Sequence, residues 1–282
     1  MPELPEVETI RRELVPLISG KKFASPLLHM PSAIEYPEPE QFSAALTGQK
    51  VLNIGRKGKY LIINLDHGIL IVHLRMTGNL LYTEEGPPEK DRYLRLSFPF
   101  NDGSALYFSD MRRFGRVWLV ADDHELQELV LKRVGPDIID EMNNEKFIAL
   151  LGRRERVMLK ALLLDQGFAA GMGNIYTDEC LFRCGLHPRR RVATLSRSEA
   201  EALYKAIRAV LNEAIEHGGT TFRDYRNARG TAGDYQSKIA VYGRKGERCR
   251  CGSSIEKTTV AGRGTYFCPL CQVEWIATEK GT

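Results

Sequence analysis

Two periodicities divide the chain. From Lys50 to Ala121 apolar residues come in short runs, "VLNI", "KYLIINL", "GILIVHL", "NLLY", "YLRLSFPF", "ALYF" and "RVWLV". Asp66-His67-Gly68, the Gly86-Pro87-Pro88 stretch and Asn101-Asp102-Gly103 punctuate them. Short strands separated by such breaks predict antiparallel hairpins that close into a sandwich or barrel. Ahead of them, Val7, Ile10, Leu14, Leu17 and Ile18 recur at helical spacing, with Glu8 and Arg12 four apart. A proline in the first turn and acids near it complete an amphipathic helix over 5–18. Pro2 and Glu3 precede that helix and are not explained by it.

After "DDHELQELVLKRVGPD" the period becomes helical, which places a junction near Val134–Asp137. "RVMLKALLLDQ" reads as a helix, and "GFAAGMGNIY" as a glycine-rich turn feeding another that starts near Asn174. "SRSE" at 196–199 is a capping box. The helix it opens carries Leu203, Ile207, Val210, Leu211, Ala214 and Ile215 as one stripe and stops at Gly218-Gly219. A polar loop over 220–236 and a cysteine-bearing tail follow. The expected organisation is α+β: a β-sandwich with flanking helices over 1–133, a linker over 134–150, a helical module over 151–236 and a hairpin over 237–282.

Composition narrows the partners. The 282 residues, 43% hydrophobic and 27% charged, are ordinary globular usage with room for two cores. No apolar run approaches the roughly eighteen residues of a membrane span, so no membrane partner and a cytoplasmic location are expected. The net charge of +4 says little, but its distribution says more. Between Arg223 and Arg250, Lys or Arg stands at 223, 226, 229, 238, 244, 245, 248 and 250 against acids only at 224, 234 and 247, and "HPRRR" adds a cluster at 187–191. Such stretches are the electrostatic footprint of a nucleic-acid binder.

Four of the cysteines fall in "CRCGSSIEKTTVAGRGTYFCPLC". Two close pairs flanking a strand-turn-strand suit one structural Zn²⁺ held by Cys249, Cys251, Cys268 and Cys271. The single-residue gap of Cys249-Arg250-Cys251 is shorter than usual, and Cys180 and Cys184 are less favoured substitutes. Arg263 in "AGRG" sits where a guanidinium can reach a phosphate. At the other end of the chain, removal of Met1 would expose the secondary amine of Pro2, a usable nucleophile because α-amino groups titrate near pH ~7.7–8.0.

Several separated motifs then agree: "PELPEVET" at Pro2, "GKYL" at Gly58, "HLRMTG" at His73, "DMRRFG" at Asp110, "LLLDQ" with "AGMGNIY" over 162–176, "VYGRKGE" at Val241 and "AGRGTYFCPLC" at Ala261. In this order they resemble bacterial formamidopyrimidine-DNA glycosylases along the whole chain. The resemblance implies an N-terminal β-sandwich, a helix-two-turn-helix module and a zinc hairpin. It also implies a monomer that removes oxidised purines such as 8-oxoguanine from double-stranded DNA and cleaves the strand at the abasic sugar. Pro2 is then the nucleophile, Glu3 the acid/base and Lys59 the catalytic lysine near the lesion. Met76, Arg112 and Phe114 match the side chains that fill the gap left by an extruded nucleotide. Asn174 and Arg263 match phosphate clamps, Lys160 a lysine near the lesion, and His73 and Tyr242 lie in matched DNA-binding motifs. Residues 220–225 match the loop that closes over the extruded base. Where the family carries a histidine pair, this chain has "EKDRY", leaving Lys90 and Arg92 to supply basic contacts. Two rivals remain, an endonuclease VIII-like enzyme for oxidised pyrimidines and a non-catalytic binder of damaged DNA.

Overall fold

A computed structural model describes residues 2–86 and 91–274. Lys90 therefore lies outside the described residues. The chain forms two compact units, one of residues 1–133 with 214–236 and the other of 134–213 with 237–282. Residues 214–236, which the sequence groups with the helical module, thus cluster with the strand-rich unit.

The first unit opens with α1 (Leu4–Ile18), β1 (Leu27–Leu28), β2 (Ile34–Tyr36) and α2 (Pro39–Leu46). The expected run of strands follows: β3 (Val51–Lys57), β4 (Tyr60–Leu65), β5 (Ile69–His73), β6 (Gly78–Thr83), β7 (Leu94–Pro99), β8 (Ala105–Asp110) and β9 (Arg116–Val120). They make a four-stranded sheet in the order β1-β7-β8-β6 and a five-stranded sheet in the order β2-β9-β5-β4-β3. Pairing is antiparallel except where β2 runs parallel to β9. Ile63, Leu70 and Val72 of one sheet and Leu96, Phe98 and Phe108 of the other share one core with Val7, Ile10, Leu14 and Ile18 of α1. Strand β4 alternates buried and half-buried positions, whereas β5 is buried throughout, as expected of an interior strand. This packing fixes α1 against the sandwich and so fixes the segment that precedes it.

The second unit contains α3 (Asn144–Leu151), α4 (Leu159–Leu164), α5 (Asn174–Arg183), the helix α6 (Arg197–Glu216) as far as residue 213, and the hairpin β10 (Glu256–Val260) and β11 (Arg263–Phe267). The stretch expected as a plain linker over 134–150 holds most of α3, whose first turn is capped by the Asn143 carboxamide accepting the Lys146 N–H at 2.8 Å. The turn of the hairpin is Ala261-Gly262, with φ of 49° and 72°. Two consecutive positive φ values define the tight turn whose twist matches antiparallel strands.

Candidate active site and nucleic-acid interface

The candidate residues divide between the units. Pro2, Glu3, Lys59, His73, Met76, Arg92, Arg112 and Phe114 belong to the first; Lys160, Asn174, Tyr242, Arg263 and the cysteines belong to the second.

Pro2 is buried, and Glu3 is the N-cap of α1. The Glu3 N–H donates to Glu6 Oε2 at 2.7 Å, one half of a capping box. The other Glu6 oxygen accepts the Thr220 N–H, also at 2.7 Å, and the Tyr225 hydroxyl donates to the Glu6 carbonyl at 3.3 Å. One buried carboxylate therefore joins the backbone of the acid/base candidate to the loop over 220–225. Gly219, at φ 81°, is required here: a Cβ would lie 2.8 Å from Glu6 Cγ. Further along, Glu13 accepts from Asn227 Nδ2 and the Ala228 N–H at 2.6 and 2.8 Å, and the Asn79 carboxamide accepts from the Arg226 N–H and donates to the Asp224 carbonyl. Both ends of the loop are thus anchored in the unit that carries Pro2, while Phe222 stays exposed.

Lys59 stands in the β3–β4 turn beside Gly58, whose φ is 57°. A relay ties that turn to α1: Arg56 Nε meets Glu8 Oε2 at 3.2 Å and Arg56 Nη1 donates to the Gly58 carbonyl at 3.0 Å. Burial opposes the charge on Glu8, but Arg11, Arg12 and Arg56 outweigh it and hold the carboxyl down at about 2. Lys59 is itself mostly buried. His73 pairs with Tyr60 across the sheet, and burial, with Arg75 and Lys59 nearby, pushes its imidazole down to about 3. Its Nδ1 accepts the Arg75 N–H at 3.0 Å. His73 is thus a neutral brace for the turn that carries Met76, where Arg75, the residue before it, has φ 54°.

Asp110 organises the second exposed turn. One of its oxygens accepts from the Thr77 hydroxyl and the Arg112 N–H, and the other from the Gly115 N–H at 2.7 Å. Those bonds shape a loop in which Arg113 has φ 62° and the Arg112 guanidinium lies 4.7 Å from the centroid of the exposed Phe114 ring. Thr77, next to half-buried Met76, also accepts the Arg112 N–H, so the two turns share a brace. An apolar ring and a guanidinium held together on the surface can occupy the space of an unstacked nucleotide. Arg92 is exposed and lies over the Tyr93 ring at 4.8 Å.

In the second unit, Arg263 opens β11 and is exposed, and Asn174 opens α5. Asn174 Nδ2 donates to the Gly264 carbonyl at 2.9 Å, while its Oδ1 is buried with no partner among the described residues. Lys160, expected near the lesion, is placed differently. It is 0% exposed, as is Asp178, and its ammonium bonds Asp178 Oδ1 at 2.6 Å and the Gly264 carbonyl at 3.2 Å. Asp178 Oδ2 accepts the Tyr266 N–H. Lys160 is therefore the internal tether of the strand that presents Arg263. Burial pushes Asp178 up to about 7 against the pull of Lys160. Tyr242 is half-buried: its N–H is one of three, from residues 240, 241 and 242, gathered by the buried Glu179 carboxylate.

All four thiols of Cys249, Cys251, Cys268 and Cys271 lie within 4.8 Å of one another, with Sγ–Sγ separations of 3.8 Å for 249/271 and 3.5 Å for 251/268. Four thiolates at about 2.3 Å from one tetrahedral Zn²⁺ stand about 3.8 Å apart, so the set fits the ion. The short first gap works because the chain turns back at once: the Gly252 N–H bonds the Cys249 carbonyl at 2.8 Å, with Gly252 at φ 88°. Cys180 and Cys184 stand apart, the Cys184 thiol donating to the Cys180 carbonyl within α5.

Sequence reasoning gave no role to Glu6, Glu13, Asn79, Asp110, Asp178 and Glu179. Two left a trace: Glu6, three residues after Glu3 at the start of a helix, and Asp110, the first residue of the "DMRRFG" motif.

A β-sandwich that buries the N-terminal Pro2-Glu3 segment, with a helical unit bearing a four-cysteine hairpin, is the architecture of a class of zinc-bearing DNA-processing enzyme. Three family descriptions match the chain in order: the formamidopyrimidine-DNA glycosylase N-terminal domain over 1–117, the H2TH domain of the same enzymes over 134–226, and the zinc finger found in FPG and IleRS over 246–273. Formamidopyrimidine-DNA glycosylases of Pelotomaculum thermopropionicum and Geobacillus kaustophilus are 45% and 44% identical over 96% of this chain and 99% and 100% of theirs. Among solved structures, a Lactococcus lactis FPG mutant bound to Fapy-dG DNA superposes with a TM-score of 0.88 at 39% identity, covering 97% of this chain and 100% of that one. The L. lactis complex with abasic-site DNA gives 0.87 at 38%, with the same coverage. The chain belongs to the formamidopyrimidine-DNA glycosylase family and is a DNA-repair glycosylase and abasic-site lyase. No helix among the described residues is long and apolar enough to cross a membrane.

Proposed function

We propose that Pro2, freed of Met1, attacks C1′ of an oxidised purine nucleotide in duplex DNA. The C1′–N9 bond breaks, the base leaves with its electron pair and a proton, and sugar opening leaves an iminium between C1′ and the proline nitrogen. Because a secondary amine gives a permanently charged iminium, the adduct stays an electron sink for loss of the C2′ proton and successive expulsion of the 3′ and 5′ phosphates. Glu3 moves protons at the opened sugar, and Lys59 stabilises the negative charge beside it. Met76, Arg112 and Phe114 fill the vacated stack, residues 220–225 cover the extruded base, and Asn174, Arg263 and the basic groups of Tyr93's neighbour Arg92 and of Lys90 hold phosphates. The enzyme acts in the bacterial cytoplasm.

One observation carries this reading: Glu6 bonds the Glu3 and Thr220 amides at once, which couples the covering loop to the acid/base. Borohydride trapping on 8-oxoguanine and abasic duplexes tests it. A covalent complex is expected, weakened by Pro2→Gly and nearly lost on the 8-oxoguanine duplex with Glu3→Gln. Undiminished trapping with a blocked N-terminus would refute Pro2 as nucleophile, and preference for a thymine glycol duplex would refute the purine assignment.

A further inference from the structure

The turns that carry Lys59 and Met76 lie at one end of the five-stranded sheet, and a cavity lies at the other. Strands β5 and β9 pair from His73 with Arg116 to Ile69 with Val120, so the far end stands four residue steps, about 13 Å of strand, from His73. There a cavity of about 560 Å³ opens among the end of β2, α2, the β4–β5 turn and the segment that follows β9. Pro37, Leu119 and Val120 supply apolar surface, Tyr36 an aromatic ring, and Asp66 and Glu125 two carboxylates. Among the described residues that line it there is no lysine or arginine.

Both carboxylates are fixed by backbone donors. Asp66 Oδ1 accepts the Lys50 N–H at 2.8 Å, which holds that carboxyl below its usual range and so ionised at neutral pH. Glu125 Oε2 accepts the Ala121 N–H at 2.8 Å, and its Oε1 takes the Tyr36 hydroxyl at 3.3 Å, which sets ring and carboxylate side by side. The His67 N–H donates to Gln49 Oε1 at 3.0 Å and ties the β4–β5 turn to the segment after α2. Acceptors oriented in advance beside an aromatic ring suit a planar cation, which can stack on the ring and fork onto a carboxylate. A phosphate-bearing ligand finds repulsion here and no basic group to offset it. Exposed Glu38, Asp122 and Asp123 adjoin the lining residues Pro37 and Ala121, so the acidic character continues outside the cavity. On a chain of net charge +4, this end of the sheet complements a basic partner, whereas the other end carries Lys59 and Arg112.

We propose that this cavity docks an arginine-bearing basic segment of a partner protein, the guanidinium lying on Tyr36 and bonded by Asp66 and Glu125. The site is separate from the glycosylase chemistry and does not depend on it. The test is fluorescence anisotropy at physiological salt with the zinc-loaded full chain and a labelled heptapeptide that carries arginine at alternate positions. Saturable binding is expected, and the same peptide with citrulline, the neutral isostere, should bind at least about tenfold more weakly. The double variant Asp66→Asn/Glu125→Gln should also weaken binding about tenfold or more, with lesion excision unchanged. Each carboxamide keeps an oxygen for the Lys50 or Ala121 N–H, so the cavity itself is retained. Should the double variant melt below the parent, each single variant must still weaken binding about threefold. No saturation below about 1 mM, or equal binding of the citrulline peptide, would overturn the proposal. Equal binding of a lysine heptapeptide would refute the fit to a planar cation, and displacement of the arginine peptide by an equal concentration of spermidine would make this a polyamine site rather than a protein dock.

Discussion

Replacing Lys160 by Met tests how the hairpin is held. The ammonium is fully buried, 2.6 Å from Asp178 Oδ1, and also donates to the Gly264 carbonyl. Breaking a buried ion pair by removing one member typically costs about 3–5 kcal/mol, because the survivor is left charged and unpaired. Two features lower that figure here. Asp178 is already pushed up to about 7 with the lysine present, so without it the carboxyl takes a proton near neutrality instead of staying ionised. The Gly264 carbonyl also keeps its bond from Asn174 Nδ2 at 2.9 Å. What remains is a lost charge-assisted hydrogen bond plus incomplete packing, about 2–3 kcal/mol. Adding Asp178→Asn should recover about 1 kcal/mol, since the carboxamide oxygen can still accept the Tyr266 N–H and no charge is buried. Urea unfolding of the zinc-loaded chain, followed by a probe in the second unit because two units need not unfold together, measures both. The argument fails if Lys160→Met costs under about 0.5 kcal/mol, or if the double variant loses more than the single. DNA affinity should fall with Lys160→Met while single-turnover cleavage at saturation persists, since this lysine acts on Arg263 through the backbone.

Asp110→Ala strands the donors of Thr77 and Gly115, at about 1–3 kcal/mol for each one left buried and unpaired, while the Arg112 N–H keeps Thr77 Oγ1; it should lower thermal stability and abolish lesion excision more than non-specific DNA binding. Ala261→Asn relieves an alanine held at φ 49° and should raise stability by about 0.5–1 kcal/mol in thermal melts. Glu8, with a folded value of about 2 against an ordinary 4.5, contributes stability that is fully present above pH 4.5 and lost as pH falls toward 2. The effect is on the order of 2 kcal/mol after allowing for water around the carboxylate, and Glu8→Gln should flatten that acid limb in pH-dependent unfolding. Chelation should remove close to one equivalent of zinc, measured by metal analysis, and cost DNA affinity, because the thiols take up protons once the ion is gone and the small core of Phe182, Val241 and Ile255 loses its staple.

Much of this molecule was legible without coordinates wherever a pattern is local. The strand runs between Lys50 and Ala121, the stripe of α1 and the cysteine hairpin each follow from residues a few positions apart, because strand alternation, helical periodicity and metal-ligand spacing are short-range constraints. Short elements such as β1, β2 and α2 went unread, since a few residues carry too little periodicity to stand out. The tertiary structure decided which charged groups serve chemistry and which serve architecture. Lys160 looked like a DNA contact and is a buried tether; His73 is a neutral brace; Glu6, Glu13, Asp110 and Glu179 looked like ordinary acids and each gathers backbone or side-chain donors from distant segments. That difference has one physical cause. A carboxylate's role depends on which donors face it after folding and on how much water is removed, and its partners stand as far away as Thr220 is from Glu6. The sequence by itself determined the longer elements, the family and the cysteine cluster; only folding determined that the backbone of Glu3 and the loop at Thr220 share a single buried side chain.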